Sequence, residues 1–109
     1  MAETPLWSSR LHDEGTTRIV ALGGELDLAA ADELRLTLID QLDQPTAEAV
    51  VADLSAVIFL DSAALGALVA ALNHCHRTGK SFTITGASPS VRQVLDITGV
   101  YQLLIGNPD

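Results

Sequence analysis

Residues 49–66 constrain the fold more than any other stretch of the chain. A hydrophobic run, Ala49 to Leu54 and then Val57 to Leu60, stops at Asp61-Ser62, and a helix-period apolar stretch opens at Ala63. A near-continuous apolar run reads as a strand covered on at least one face. Leucines recurring every three or four residues read as a helix. A strand that feeds straight into a helix is the building step of an α/β sheet. The junction also places a carboxylate and a hydroxyl, Asp61 and Ser62, at the positive end of the helix.

The rest of the chain repeats that step. Leu6 to His12 and Thr16 to Leu22 read as strands joined by turn chemistry at Asp13-Glu14-Gly15, so they form a hairpin. Gly23-Gly24 breaks the second strand. Asp27 then caps a helix from Leu28 to Leu42, with Leu28, Ala31, Leu34, Leu38 and Leu42 as its buried stripe. Pro45 ends the connection to a central strand read over Ala47 to Leu54. The second helix spans Ser62 to Thr78, with Leu65, Leu68, Val69, Leu72 and Cys75 on one face and Gly79 as its stop. Ser81 to Thr85 is a strand. Ser88 caps a third helix with Pro89 at its first position, and Val91, Val94, Leu95 and Thr98 face inward. Gly99 ends that helix, and Leu103 to Ile105 reads as a last short strand. The predicted order is β-β-α-β-α-β-α-β, an α/β fold. Residues 6–106 make one domain, with 1–5 and 107–109 as tails.

Composition supports a small globular protein. The chain has 109 residues, which suits one domain able to bury roughly two thirds of its unfolded surface. No apolar run approaches the ~20 residues of a membrane span. The start, Met1-Ala2-Glu3-Thr4-Pro5, lacks the basic and hydrophobic segments of an export signal. A single cysteine forms no internal disulfide, as expected of a cytoplasmic protein. With 14 acidic residues against 6 basic ones the net charge is −8. No basic cluster exists to neutralise phosphates, which disfavours nucleic-acid binding; an acidic surface suits a basic protein partner.

Ser62 has two readings. As a helix cap it is worth about 1 kcal/mol and needs no other purpose. As a phosphoacceptor it would gain about −1.5 to −2 charge beside Asp61, making the surface repellent to a partner without disturbing the fold. One added charge pair at ~4 Å and an effective dielectric of ~20 amounts to about 4 kcal/mol before screening, and a third of that is tenfold in affinity. A hydrolytic nucleophile is disfavoured, because Leu60 and Ala64 stand where a nucleophile elbow has glycines.

Other chemistry-bearing residues have plainer explanations. His74 and His76 diverge by about 200° on a helix, so they are not paired metal ligands; they read as a solvated helix end. Cys75 between them reads as a small buried hydrophobe. Gly23-Gly24 lacks the further glycine of a dinucleotide loop. Asp27, Asp53 and Asp61 could meet at one sheet end, as a magnesium site would require, but capping by Asp27 and surface placement of the others suffice. Arg92 and Asp96 are spaced as a surface ion pair.

Three segments together resemble a STAS domain, in particular the bacterial anti-sigma-factor antagonists: Gly24-Glu25-Leu26-Asp27; Phe59-Leu60-Asp61-Ser62-Ala63-Ala64-Leu65-Gly66; and Gly86 through Leu95 with Gly99. The resemblance implies a mixed, mostly parallel sheet with helices mainly on one face. It implies a non-enzymatic, cofactor-free protein that binds an anti-sigma factor, itself a serine kinase that holds the ATP. Binding releases the sigma factor. Phosphorylation of Ser62 weakens binding, and a phosphatase resets it. Asp27, Asp61, Ala63, Ala64 and Leu65 would face the kinase, and the protein would act as a monomer in the cytoplasm. Ala63 and Ala64 depart from the common Ser/Thr and Gly. The first leaves Ser62 as sole acceptor; the second is expected to put a methyl where a partner approaches. A second reading, motivated by that Ala-Ala pair, is a STAS subunit of a transporter or signalling complex without phosphorylation. A third, an enzyme or nucleotide-binding protein, rests on the acid cluster alone.

Overall fold

The opening hairpin forms as expected, but its turn is Gly15-Thr16; Asp13 and Glu14, read from the sequence as turn residues, are paired in the first strand. The computed structural model describes residues 6–105; the proposed tails, 1–5 and 107–109, lie outside them, as does Gly106. Strand β1 (Trp7–Glu14) turns at Gly15-Thr16 and pairs antiparallel with β2 (Thr17–Leu26), Glu14 opposite Thr17 and Trp7 opposite Gly24. Helix α1 (Leu28–Leu42) crosses to β3 (Ala49–Leu60), α2 (Ser62–Thr78) to β4 (Ser81–Thr85), and α3 (Pro89–Ile97) and α4 (Val100–Leu104) complete the chain. The sheet order is β1-β2-β3-β4, with β2-β3 and β3-β4 parallel.

One face of this sheet makes the core. Val20, Leu22, Val50, Ala52, Leu54, Phe82 and Ile84 alternate inward and join Leu34, Leu38, Leu42, Leu68 and Leu95 from the helices. Each fully buried leucine contributes about 2 kcal/mol by leaving water. Their neighbours Ile19, Ala21, Val51 and Thr83 are only half-buried, as expected where helices cover the opposite side. Polar ties lock the far end of α1. Lys80 Nζ donates to the carbonyls of Leu42 at 2.5 Å and Gln44 at 2.8 Å, and His74 Nε2 lies 2.7 Å from Asp43 Oδ1. The Arg18 guanidinium bonds Asp13 and Gln41. His74 is therefore a tie between α1 and α2, not the solvated group expected from the sequence.

Several expectations need correction. Leu103 to Ile105 is not a strand: Gly99, at φ 74°, lets the chain re-enter a helical turn, and Leu103 and Leu104 belong to α4. The order is thus β-β-α-β-α-β-α-α among the described residues. Gly23-Gly24 does not end β2, which continues to Leu26. Gly24 is needed there because its φ is +84° and an added Cβ would lie 2.1 Å from the Leu6 carbonyl oxygen. In α1 the buried stripe runs through Ala30, Leu34, Leu38, Gln41 and Leu42; Leu28 is 76% exposed and Ala31 half-buried. In α3, Thr98 is exposed and instead donates its hydroxyl to the carbonyls of Val94 and Leu95.

The central strand carries the feature that shapes its functional end. Between Asp53 and Phe59, β3 holds two more residues than the facing part of β2: Ala21 pairs with Asp53 but Gly23 with Ala56, and Gly24 with Val57 but Glu25 with Phe59. Such bulges re-aim side chains and break strict alternation. Here they turn Ile58 and Phe59 outward in succession, while Leu60 returns to the core.

Candidate functional site

The parallel strands β2 and β3 end side by side, and each delivers an aspartate. Asp61 N donates to the Leu26 carbonyl at 3.1 Å, so the two strand ends are tied together. Asp27 caps α1, its Oδ1 accepting from Ala29 N at 3.0 Å. Asp61 caps α2, its Oδ1 accepting from Ala63 N at 3.0 Å and Ala64 N at 3.1 Å. Both aspartates are half-buried. The cap of α2 is therefore Asp61 and not Ser62, which occupies the first helical position instead.

That one-residue difference takes Ser62 out of the capping role. Relieved of capping, its side chain is exposed and has no hydrogen-bond partner among the described residues. A phosphate donor can reach it. Two amides of the first turn, Ala63 N and Ala64 N, are already engaged by Asp61.

Large apolar side chains are exposed at the start of α1 and near the end of β3. Leu28 is 76% exposed, Ile58 70% and Phe59 48%. An open groove of about 180 Å³ runs from Ile58, Phe59 and Leu60 to Ser90, Val91 and Val94 on α3. The sequence reading missed Leu28, Ile58 and Phe59 as surface residues. It assigned Leu28 to a buried stripe and took Ile58 and Phe59 as ordinary strand hydrophobics. The missed signal lies in β3, where the apolar spacing changes after Leu54.

Two residues expected to face a partner do not. Ala64 is 0% exposed and Leu65 7%; both point into the core with Leu68, Ala71 and Leu72. The methyl of Ala64 thus fills the interior and does not obstruct an approaching partner. Ala63 is half-buried at the rim. The acid cluster also comes apart. Asp53 Oδ1 accepts from Ser55 N at 2.9 Å and Ser55 Oγ at 2.5 Å, and no group of three or more potential metal ligands forms among the described residues. Cys75 is buried, its Sγ donating to the Leu72 carbonyl at 3.0 Å. Burial pushes its thiol pKa up, partly offset by a backbone hydrogen bond at Phe82. Arg92 pairs with Asp96 at 3.4 Å and stacks 4.0 Å above the Tyr101 ring.

This architecture has relatives. The STAS domain model matches residues 10–107, and the chain belongs to the STAS domain family. Curated relatives that it matches carry the names anti-sigma F factor antagonist and anti-sigma-B factor antagonist. The anti-sigma-B factor antagonist of Staphylococcus epidermidis is 33% identical over 85 residues, covering 78% of each chain. An anti-sigma factor antagonist from Mycobacterium paratuberculosis superposes with a TM-score of 0.76 at 24% identity, covering 94% of this chain and 86% of the other. The phosphorylated form of the Bacillus cell fate determinant SpoIIAA superposes with a TM-score of 0.67 at 20% identity, covering 85% of each. No helix among the described residues is long and apolar enough to cross a membrane.

Proposed function

We propose that this protein is an anti-sigma-factor antagonist switched by phosphorylation of Ser62. It binds an anti-sigma factor that is also a serine kinase, and binding releases the sigma factor. The kinase holds the ATP and transfers phosphate to Ser62; a phosphatase removes it. The antagonist works in the cytoplasm as a monomer, through residues 6–106 as one domain. The observation that carries this reading is the exposed hydroxyl of Ser62, free of the capping role that Asp61 takes through Ala63 N and Ala64 N.

The switch is electrostatic and local. In the unmodified state the partner packs on Leu28, Ile58 and Phe59, whose burial drives association. Asp27 and Asp61 at the rim steer basic groups of the partner toward the site. A phosphate on Ser62 adds about −1.5 to −2 charge. Its hydration must be stripped when the apolar surfaces meet. Even a third of the ~4 kcal/mol available to one close charge pair changes affinity about tenfold.

The test is direct. Incubation with the anti-sigma factor kinase and ATP, followed by peptide mass spectrometry, should place one phosphate on Ser62. Ser62→Ala should bind the anti-sigma factor as the wild type does, and Ser62→Asp about tenfold more weakly. Absence of phosphate at Ser62, or equal affinities for the two variants, would remove the switch.

A further inference from the structure

The first bulge of β3 is held from three sides. Ala21 pairs with Asp53 and Gly23 with Ala56, so Leu54 and Ser55 together stand against Leu22. Asp53 Oδ1 accepts from Ser55 N at 2.9 Å and from Ser55 Oγ at 2.5 Å, which ties the bulge to the strand before it. Gly86, just after β4, lies against that tie. At φ +75° it has no room for a side chain, because a Cβ there would collide with Ser55 Oγ and lie 2.8 Å from Asp53 Oδ1. Gly23 closes the other side, where a Cβ would come within 3.3 Å of the Ala56 Cβ. Glycines in a sheet mark such bulges and close backbone approaches.

This bulge decides which residues of β3 the protein shows. Strict alternation from the buried Leu54 would send Ala56 and Ile58 to the core and Val57 outward. One extra residue shifts that phase by one. Val57 is buried instead, at 1% exposure, and Ile58 stands out at 70%. The second bulge, at Ile58, then returns Leu60 to the core. An exposed isoleucine in a central strand is thus the product of the register around Ser55.

We propose that Asp53 is a positioning residue for partner binding: its carboxylate holds the Ser55 bulge, and the bulge presents Ile58 to the anti-sigma factor. This inference rests on the reading of the protein as an anti-sigma-factor antagonist. It gives a role to Asp53, which caps no helix, unlike Asp27 and Asp61. Asp53 acts through Ile58 and not by contact with the partner. Without the tie, Ser55 N and Oγ turn to water, and the stretch from Ser55 to Ile58 also samples the regular register, in which Ile58 points inward. Apparent affinity then falls with the fraction of molecules that still show Ile58 outward.

Variants of the full-length protein, titrated calorimetrically with the anti-sigma factor, test this. Asp53→Ala should bind about tenfold more weakly. Asp53→Asn keeps an Oδ1 acceptor for both Ser55 groups and should bind within about twofold of the wild type. Ile58→Ala lacks the presented side chain, so adding Asp53→Ala to it should change affinity by less than about twofold. Ser55→Ala removes only the hydroxyl bond and decides the matter if Asp53→Ala does not fold. It should weaken binding about threefold in the wild-type background and leave it unchanged in Ile58→Ala. Equal losses with and without Ile58 would mark a purely structural role and overturn the proposal. So would an Asp53→Asn variant as weak as Asp53→Ala, or wild-type affinity in both Asp53→Ala and Ser55→Ala. Each of these leaves the antagonist reading intact. A wild-type protein that binds no anti-sigma factor would remove that reading and this inference together.

Discussion

The starts of α1 and α2 are the same construction put to different uses. Each follows the end of a parallel strand, each is capped by an aspartate, and the two strand ends are joined through Asp61 N and the Leu26 carbonyl. They differ at the first helical position, Leu28 in one and Ser62 in the other, both exposed. They also differ in their caps, since Asp27 serves one amide and Asp61 two. The lesson is that capping by the aspartate frees the next residue. In α1 the freed residue is an exposed leucine; in α2 it is an exposed hydroxyl.

The largest expected effect comes from exchanging the freed residues. Ser62→Ala should abolish kinase-dependent labelling, because the accepting hydroxyl is gone. Adding Leu28→Ser to that variant should not restore it. Label at position 28 would make the two starts equivalent and break the comparison.

Next in size are the apolar neighbours. Phe59→Ala should weaken anti-sigma-factor binding about tenfold, as buried aromatic anchors do. Its melting temperature should change little, since the ring is half-exposed in the free protein. A large fall in melting temperature with intact binding would assign Phe59 to the fold instead.

The caps come third. Asp61→Ala should cost about 1.5 kcal/mol and Asp27→Ala about 0.7 kcal/mol, in the ratio of the amides each leaves unpaired. Thermal denaturation of the two variants checks this; equal losses would mean that the second amide bond of Asp61 adds nothing.

The smallest effect is at the far end of α2. The Cys75 thiol is held protonated by burial, with its pKa raised above the usual 9.0. A raised folded-state pKa leaves stability untouched while the thiol is protonated in both states, then erodes it as pH climbs past the unfolded value. Denaturant titrations should therefore show a decline beginning near pH 9 that is smaller in Cys75→Ala. An identical pH profile for both proteins would refute it.

Much of this was legible from residue order alone, for identifiable reasons. The bounds of α1 and α2 follow from Asp27, Asp61-Ser62 and Gly79, residues whose chemistry starts or stops helices locally. Ser88 with Pro89 does the same for α3. What failed depends on distant partners. Gly23-Gly24 looks like a terminator, yet it stays in β2 because Ser8 and Ala56 pack against Gly23. Leu103 to Ile105 is apolar enough for a strand, but α4 forms immediately after Gly99, and Leu104 is fully buried. Asp61 and Ser62 are both good caps, so only the backbone decides which one serves. The outward turn of Ile58 and Phe59 needs the register of β2 against β3. The inward placement of Ala64 was readable, since it lies four residues before Leu68, but the family motif drew attention to its surface neighbours instead.

The central claim is that charge on one freed hydroxyl controls association. It is tested most directly by measuring the affinity of the anti-sigma factor for unmodified protein and for protein carrying one phosphate, its position fixed at Ser62 by mass spectrometry. The account requires the phosphorylated form to bind at least about tenfold more weakly, with its melting temperature within a few degrees of the unmodified form. Equal affinity of the two forms would contradict it.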